Sequence, residues 1–144
     1  MAVPARVLLA TLPKGYQFPP TSLRLTVEDV SCYLDAVQDP NPLYLERRLA
    51  PPLAVAALAL GSLLEVVELP AGTLHTGQEV EARAGLPIDA ELTLAGRIGQ
   101  RSERAGLIIS VIEFELTAAG SDAAALTGRT TVLAPADVAS EGGR

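Results

Sequence analysis

Residues 51–67 read PPLAVAALALGSLLEVV, and no other stretch of the chain constrains its architecture as strongly. Two prolines open the stretch in the way that prolines begin helices, because the first helical position needs no N–H donor. Residues 53–67 then predict a helix that is apolar on nearly every side, with small residues that allow close approach: Ala54, Ala56, Ala57, Ala59, Gly61 and Ser62. A helix without a polar face has to be enclosed, so we expect it at the centre of the fold.

Strand patterns follow this helix, which we expect to end at the turn sequence Pro70-Ala71-Gly72. Residues 90–101 alternate apolar and polar side chains, and residues 106–117 form a long run rich in β-branched residues, both typical of strands. Residues 76–83 and 124–134 complete the set, and turn sequences separate the later strands. One buried helix followed by an antiparallel meander predicts an α+β domain in which the sheet wraps around the helix.

A second, amphipathic helix is predicted upstream of the apolar one. Thr26 offers an N-cap, and Asp29, three residues further on, completes an acidic variant of the capping box. Pro40 and Pro42 end this helix, because proline restricts the residue before it and cannot donate a hydrogen bond into a helix. Residues 39–42 therefore form an irregular loop that hangs from the helix end.

Composition restricts the classes of function. The net charge is −6 over 144 residues, and the basic residues are scattered, which argues against nucleic-acid binding. The core has to be aliphatic, since the chain has two Phe, three Tyr and no Trp. The single cysteine, Cys32, excludes an internal disulfide and has no basic neighbour in sequence that would make it reactive. With one histidine no Cys/His metal cluster is possible, and we expect no metal and no cofactor.

The apolar segments do not predict membrane insertion. Residues 7–10 are too short for the core of a signal peptide. Residues 53–69 contain two glutamates and fall short of a membrane span. Residues 23–25 predict a short strand, and residues 1–14 have no clear pattern. We expect a soluble, cytoplasmic protein.

Residues 39–44, Asp-Pro-Asn-Pro-Leu-Tyr, lie between the two predicted helices. In that setting they resemble the signature of the MaoC-like hydratases and dehydratases, a hotdog-fold family acting on acyl thioesters, in which Asp-x-Asn-Pro-x-His holds the catalytic aspartate and histidine. This chain matches the signature at Asp39, Asn41 and Pro42. Tyr44 stands where the family has its histidine.

The resemblance covers roughly residues 15–135. It includes the helix start at residues 50–53, which is similar to that of the branch of MaoC-like N-terminal dehydratase domains, and the segments 74–81, 90–97 and 126–131. It implies a single hotdog domain over residues 1–135, with an antiparallel sheet around the central helix of about residues 53–67. Residues 136–144 are then a loose C-terminal tail.

The resemblance also implies a reaction, the (R)-specific hydration of an enoyl thioester or its reverse. In active family members an aspartate and a histidine act on one water, and backbone N–H groups at the start of the central helix hold the thioester oxygen. Asp39 is therefore the candidate base, and Asn41 orients water or fixes the loop. Tyr44 is a poor base at neutral pH because the unperturbed phenol pKa is about 10. Pro51 and Pro52 have no N–H, so this part of the helix start cannot donate to an oxyanion.

Other residues are candidates for a lesser part in the same site. Arg47 and Arg48 could contact the phosphates of CoA or of a carrier protein, although solvated surface arginines fit equally well. Leu53 is a substrate-binding candidate at the helix start. His75 is a possible replacement acid or base, against the alternative of a structural histidine near the helix end. Tyr44 fits a packing residue at a subunit or acyl-tunnel wall better than a catalyst.

Three hypotheses follow from these residues. The first is a degenerate hotdog subunit that binds or shapes an acyl-thioester site beside a partner retaining the Asp and His. The second is a self-sufficient enoyl-CoA hydratase or 3-hydroxyacyl-thioester dehydratase that uses Asp39 as base. The third is a thioester-binding or assembly module without an enzymatic partner. All three imply an acyl-CoA or acyl carrier protein ligand, and the family implies a homodimer or heterodimer rather than a monomer.

Overall fold

The computed structural model describes residues 6–136. Its elements, in chain order, are β1 (Val7–Leu8), a 3-10 helix (Leu9–Thr11), β2 (Thr21–Leu23), α1 (Val27–Val37), α2 (Leu43–Glu46), α3 (Pro52–Glu65), β3 (Val67–Glu68), β4 (Leu74–Ala82), β5 (Leu92–Arg104), β6 (Leu107–Ala118) and β7 (Ala124–Pro135). Five strands form an antiparallel sheet in the order β2-β5-β6-β7-β4, and β1 pairs with β3 in a separate parallel pair. The long strands β5, β6 and β7 make the centre of the sheet, and β4 is one of its edges.

The inner face of the sheet carries the apolar half of each alternating strand. Along β5, for example, Leu92, Leu94 and Ile98 are buried while Thr93 and Arg97 are exposed. The buried side chains of all the long strands join one hydrophobic core with the buried side of α3. The predicted strands at residues 90–101, 106–117 and 124–134 are thus confirmed, with ends that differ from the prediction by no more than three residues.

The central helix lies where it was predicted, but it is not buried on all sides as expected. Val55, Ala59 and Leu63 are buried against the sheet, whereas Leu53 is 60% and Leu58 38% exposed on the opposite side. A single chain therefore covers only one face of a helix that is apolar all round, and the second face needs another surface to bury it.

The helix also ends at Glu65, earlier than the predicted turn at residues 70–72. Val66 caps it, and Val67 then pairs in parallel with Val7, so that extended backbone replaces the last expected helical turn. This pairing joins residues sixty positions apart in sequence (67 − 7), which no local pattern could reveal.

The N-terminal segment is ordered where the sequence had no clear pattern. Leu9 and Leu12 join the main core, and Ala10 packs on Ile108 and Ala134 in a smaller cluster. Arg101 fixes the segment by donating two hydrogen bonds, of 3.0 and 2.9 Å, to the carbonyl oxygen of Ala10. The segment therefore packs across the end of the sheet and is held there by these contacts.

Local capping explains the start and the end of α1. The predicted capping box is present, with the Asp29 N–H donating to Thr26 Oγ1 at 3.1 Å and the Thr26 N–H donating to Asp29 Oδ2 at 2.9 Å. The helix ends at Gln38, whose φ of 56° turns the chain out of the helix immediately before the Asp39 loop. The predicted strand at residues 23–25 is instead β2, two residues earlier.

The described residues cover only part of the predicted domain and tail. Residues 137–144 of the expected tail lie outside the described residues, so the predicted boundary at residue 135 stays a prediction. Within residues 6–136, none of the helices is both long enough and apolar enough to traverse a lipid bilayer.

Candidate functional site

The Asp39 loop is held in shape by its own polar side chains. Asp39 Oδ1 accepts the Asn41 N–H at 3.0 Å, and Asn41 Oδ1 in turn accepts the Leu43 N–H at 3.0 Å. The backbone N–H of Asp39 donates to the Leu34 carbonyl at 2.9 Å, which ties the loop to the end of α1. Two successive side-chain-to-backbone turns of this kind are what Asp and Asn supply most readily. One oxygen of each side chain is therefore used in building the loop.

Asp39 keeps a second oxygen for other contacts. The side chain is half-buried, and within residues 6–136 its Oδ2 accepts no hydrogen bond. Asn41 and Pro42 are exposed. This geometry also fits a purely structural role for Asp39 as a turn residue before proline. The catalytic assignment of Asp39 and Asn41 stays a prediction.

We expect Asp39→Ala to lower the free energy of unfolding by about 0.5–1.5 kcal/mol, the usual net contribution of one hydrogen bond. Asp39→Asn should lose less, because its amide oxygen can still accept the Asn41 N–H. Urea denaturation of the isolated chain measures both. Asp35→Ala on the exposed side of α1, where the side chain makes no hydrogen bond among the described residues, is the matched control. Equal stability of Asp39→Ala and wild type would show that the carboxylate does not hold the loop.

Tyr44 occupies a short helix that the sequence did not reveal. It lies in α2, is half-buried, and packs against the main hydrophobic core. Its carbonyl oxygen accepts the Leu49 N–H at 2.8 Å, so α2 closes into a compact turn. The ring contacts the core of its own chain, and the described structure contains no imidazole in this loop.

The start of α3 offers one backbone donor. Pro51 and Pro52 have no N–H, and the N–H groups of Ala54 and Val55 both donate to the Pro51 carbonyl, at 3.0 and 3.2 Å. The Leu53 N–H alone remains, and it makes no hydrogen bond within residues 6–136. A helix start normally presents several free donors to an anion, so this one is depleted.

The two arginines have different surroundings. Arg48 adopts a φ of 53°, pairs with Asp89 through a 3.0 Å contact, and accepts the Ile88 N–H on its carbonyl at 2.9 Å. These contacts fix the connection between α2 and α3 against the segment before β5. Arg47 is exposed and makes no ion pair among the described residues. Arg48 is thus structurally engaged, whereas Arg47 is the freer candidate for an anionic ligand.

His75 lies near the start of β4. It is exposed, and its Nε2 is 3.0 Å from the Gly77 carbonyl oxygen. A β-bulge between His75 and Gly77 shifts the register with β7 at this point. No hydrogen bond joins His75 to the Asp39 loop within the described residues, so its role as an alternative acid or base stays a prediction.

A surface groove lies elsewhere in the described part of the chain. A groove of about 650 Å³ runs over the outer face of the sheet, lined among others by Gln17, Glu79, Glu81, Arg97, Glu113 and Arg129. None of the residues proposed from the sequence lines it: Asp39, Asn41, Tyr44, Arg47, Arg48, Leu53 and His75. The groove is an open surface across four strands, and it does not mark the expected acyl-thioester site.

An ion-pair ladder crosses this groove, and it was not identified from the sequence. The Arg97 guanidinium lies 2.8 Å from Glu113, Arg129 lies 3.9 Å from Glu113, and Arg129 lies 3.7 Å from Glu79. The four residues are direct cross-strand neighbours on β5, β6, β7 and β4. The charges therefore alternate from the middle of the sheet to its β4 edge. The sequence does place these four charged residues at outward positions of alternating strands. Only the strand register, which the sequence does not give, shows that they are neighbours.

The inner side of the edge strand β4 carries polar groups as well. Thr130 is only 1% exposed, and its hydroxyl donates to Gln78 Oε1 at 2.7 Å. Within residues 6–136 no cluster of His, Cys, Asp and Glu side chains is placed to hold a metal ion.

No protein-family model matches the sequence, and no curated protein matches it either. Solved structures do match. The (R)-hydratase from A. caviae involved in PHA biosynthesis superimposes with a TM-score of 0.70 over 87% of this chain and 98% of that chain, at 22% identity. The chain has the hotdog fold.

Two further hotdog structures give the same result. The MaoC-like dehydratase from Rhodospirillum rubrum matches with a TM-score of 0.72 at 15% identity, over 90% of this chain and 97% of that one. The truncated HadBC 3R-hydroxyacyl-ACP dehydratase complex from Mycobacterium tuberculosis matches with a TM-score of 0.73 at 19% identity, over 87% and 99%. The predicted hotdog domain is thus confirmed as a fold.

Proposed function

We propose that this chain is a non-catalytic member of the MaoC-like hydratase and dehydratase class. In this proposal it binds or shapes an acyl-thioester site beside a hotdog partner that carries the catalytic Asp and His. The similarity in fold to an (R)-hydratase, a MaoC-like dehydratase and a 3R-hydroxyacyl-ACP dehydratase complex supports the class. The site of this chain supports its assignment as the non-catalytic subunit beside a catalytic partner.

The observation that carries the proposal is the Asp39 loop without the signature histidine. The loop keeps its shape through Asp39 and Asn41, yet Tyr44 packs against the core where the signature has histidine. General acid–base catalysis contributes about 10²–10⁴-fold to a rate, so losing one of two partners removes most of it. The depleted start of α3 weakens oxyanion stabilisation independently, because among the described residues only the Leu53 N–H is free there.

The uncovered side of α3 supports a partner. Leu53 and Leu58 are exposed apolar residues of α3, and β4, which lies near α3, is an open sheet edge among the described residues. Exposed apolar surface beside an unpaired strand is typical of an interface. One of the similar structures is itself a complex of two proteins, HadBC.

The ligand we propose is an acyl-CoA or acyl carrier protein thioester, with no cofactor. The acyl chain would lie at the subunit interface, because the space between α3 and the sheet is already filled. A Cβ placed on Gly96 would be 2.9 Å from Leu63, and the Phe114 ring lies directly over Gly128. We propose Arg47 as the phosphate contact, since it is exposed and makes no ion pair among the described residues. We place the protein in the cytoplasm, where such thioesters are used.

The test is a spectrophotometric hydration assay of the isolated chain with crotonyl-CoA and a longer enoyl-CoA. We expect no rate above the uncatalysed one, and no difference between wild type and Asp39→Asn, which keeps the loop acceptor but removes the base. Co-expression with a hotdog chain that has the complete Asp-x-Asn-Pro-x-His signature should yield a complex that hydrates the substrate. Turnover by the isolated chain within the ordinary range of about 1–10³ s⁻¹ would contradict the proposal.

A second candidate is a self-sufficient hydro-lyase. It is favoured by the free Oδ2 of Asp39 and the free N–H of Leu53, which are one base and one oxyanion donor. In that case wild type turns over crotonyl-CoA and Asp39→Asn abolishes the turnover. Tyr44→Phe and His75→Ala would then identify the second catalytic group.

A further inference from the structure

We infer that the β4 edge is built to accept a strand from a different, basic chain rather than from a second copy of this one. The inference rests on the proposed function, since it specifies the partner that the function requires. Within residues 6–136, β4 pairs with β7 on one side only, so its other side presents free backbone donors and acceptors.

The outward side chains of this edge strand are acidic. Gln78 faces inward, against Thr130, so Glu79 and Glu81 face outward on the same side as Arg129. Their side chains are 74% and 66% exposed. The ion-pair ladder therefore runs from Arg97 through Glu113 and Arg129 and stops at Glu79, with a negative charge at the open edge. A lysine or arginine on an added strand would continue the alternation.

In the regular part of β4 that follows the bulge at His75, pairing two copies around a two-fold axis centred within residues 78–81 brings like charges together. A pairing centred on Glu79 places the two Glu79 side chains directly opposite each other. A pairing centred on Val80 places Glu79 opposite Glu81 twice, and one centred on Gln78 leaves the two Glu79 residues as diagonal neighbours. Like charges directly opposite on neighbouring strands are destabilising, and opposite charges are stabilising.

Neighbouring arginines reduce this repulsion without removing it. Arg129 lies 3.7 Å from Glu79, and Arg83 lies 3.4 Å from Glu81. Both arginines are about half exposed, and Arg129 is also shared with Glu113. Within residues 6–136 the second carboxylate oxygen of each glutamate makes no ion pair and is available to a basic partner strand.

The experiment supplies a basic edge of the same fold. The double variant Glu79→Lys/Glu81→Lys is mixed with wild type, and sedimentation velocity gives the dissociation constants of the two homotypic dimers and of the mixed dimer. We expect the mixed dimer to form at least about tenfold more tightly than the wild-type dimer. The difference should shrink as salt rises from 50 to 500 mM, because exposed charges are screened over a few ångströms at high ionic strength.

The matched control is Glu103→Lys/Glu115→Lys, which changes the net charge equally on β5 and β6, away from the edge. Mixed with wild type, it should bind no more tightly than wild type binds itself. Circular dichroism and melting curves confirm that all variants are folded. The inference is overturned if wild type self-associates as tightly as the mixed pair, if no mixed dimer forms, or if the control behaves like the edge variant. The hydration assay of the isolated chain tests the proposed function separately. A catalytically active chain would contradict the proposed function but not the preference of β4 for a basic partner strand.

Discussion

Ile112→Ala should lower the free energy of unfolding by about 2–5 kcal/mol, the largest effect that we expect of any single change. Ile112 is completely buried in the middle of β6, between Ile98 on β5 and Thr130 on β7. Truncating it removes apolar contacts and leaves a cavity that the surrounding strands cannot fill. Urea or thermal unfolding of the isolated chain measures the loss.

The matched control is Ile109→Ala, the same change on the same strand. Ile109 is only half-buried and lies on the outer face, between Ser102 and Leu133. Its loss should be well below that of Ile112→Ala. Equal losses at the two positions would mean that the core is not on the side of the sheet that faces α3.

Gly128→Ala should cost about 1–3 kcal/mol, because it forces a methyl group into a filled core. The Phe114 ring lies over Gly128, and an added Cβ would be closer to the ring than real side-chain contacts allow. Gly77→Ala on β4 is the control, since its Cβ would meet Thr131 at an ordinary 3.5 Å. Phe114→Leu should recover part of the loss in the Gly128→Ala background, a coupling that a double-mutant cycle measures. Additive losses would show that ring and glycine do not touch.

This contact also bears on the proposed function. Phe114 fills the inner surface of the sheet where an acyl chain would have to pass between α3 and the strands. Leu63 does the same above Gly96. The aliphatic helix that suggested room for a ligand is instead packed on its sheet side, and its open side is the one that a partner would cover.

Local signals in the sequence predicted the parts of the fold that depend on neighbouring residues. The Thr26–Asp29 capping box, the prolines at the start of α3 and the alternation along β5 each act over a few residues. These features need no knowledge of the rest of the chain, and each was found where it was expected. They were sufficient to predict an α+β domain with a sheet around a central helix, and the resemblance to the MaoC-like signature added the prediction of the hotdog fold.

The errors concern elements that depend on distant residues. The strands β1 and β3 are two residues long, and only their mutual pairing makes them strands. The end of α3 moved to Glu65 for the same reason. The helix α2 escaped notice because four residues between prolines and arginines have no measurable periodicity.

The sequence named the residues of the Asp39 loop but could not predict the hydrogen bonds that they make. The sequence singled out Asp39 and Asn41, and the structure assigns one oxygen of each to a turn. It also singled out Pro51 and Pro52, but only the hydrogen bonds of Ala54 and Val55 reveal that the Leu53 N–H alone is left. Such detail depends on backbone geometry that residue types do not specify.

The order of the strands has a consequence for how the protein is made. β2 pairs with β5, so Thr21 meets Leu94 across much of the chain, and most of the strands that bury α3 follow it in sequence. A ribosome therefore releases the most apolar helix before the strands that bury it exist. Non-local pairing of this kind folds slowly and exposes apolar surface to aggregation during synthesis. Newly made chains should depend on a chaperone, or on a partner subunit already present, until β7 has emerged.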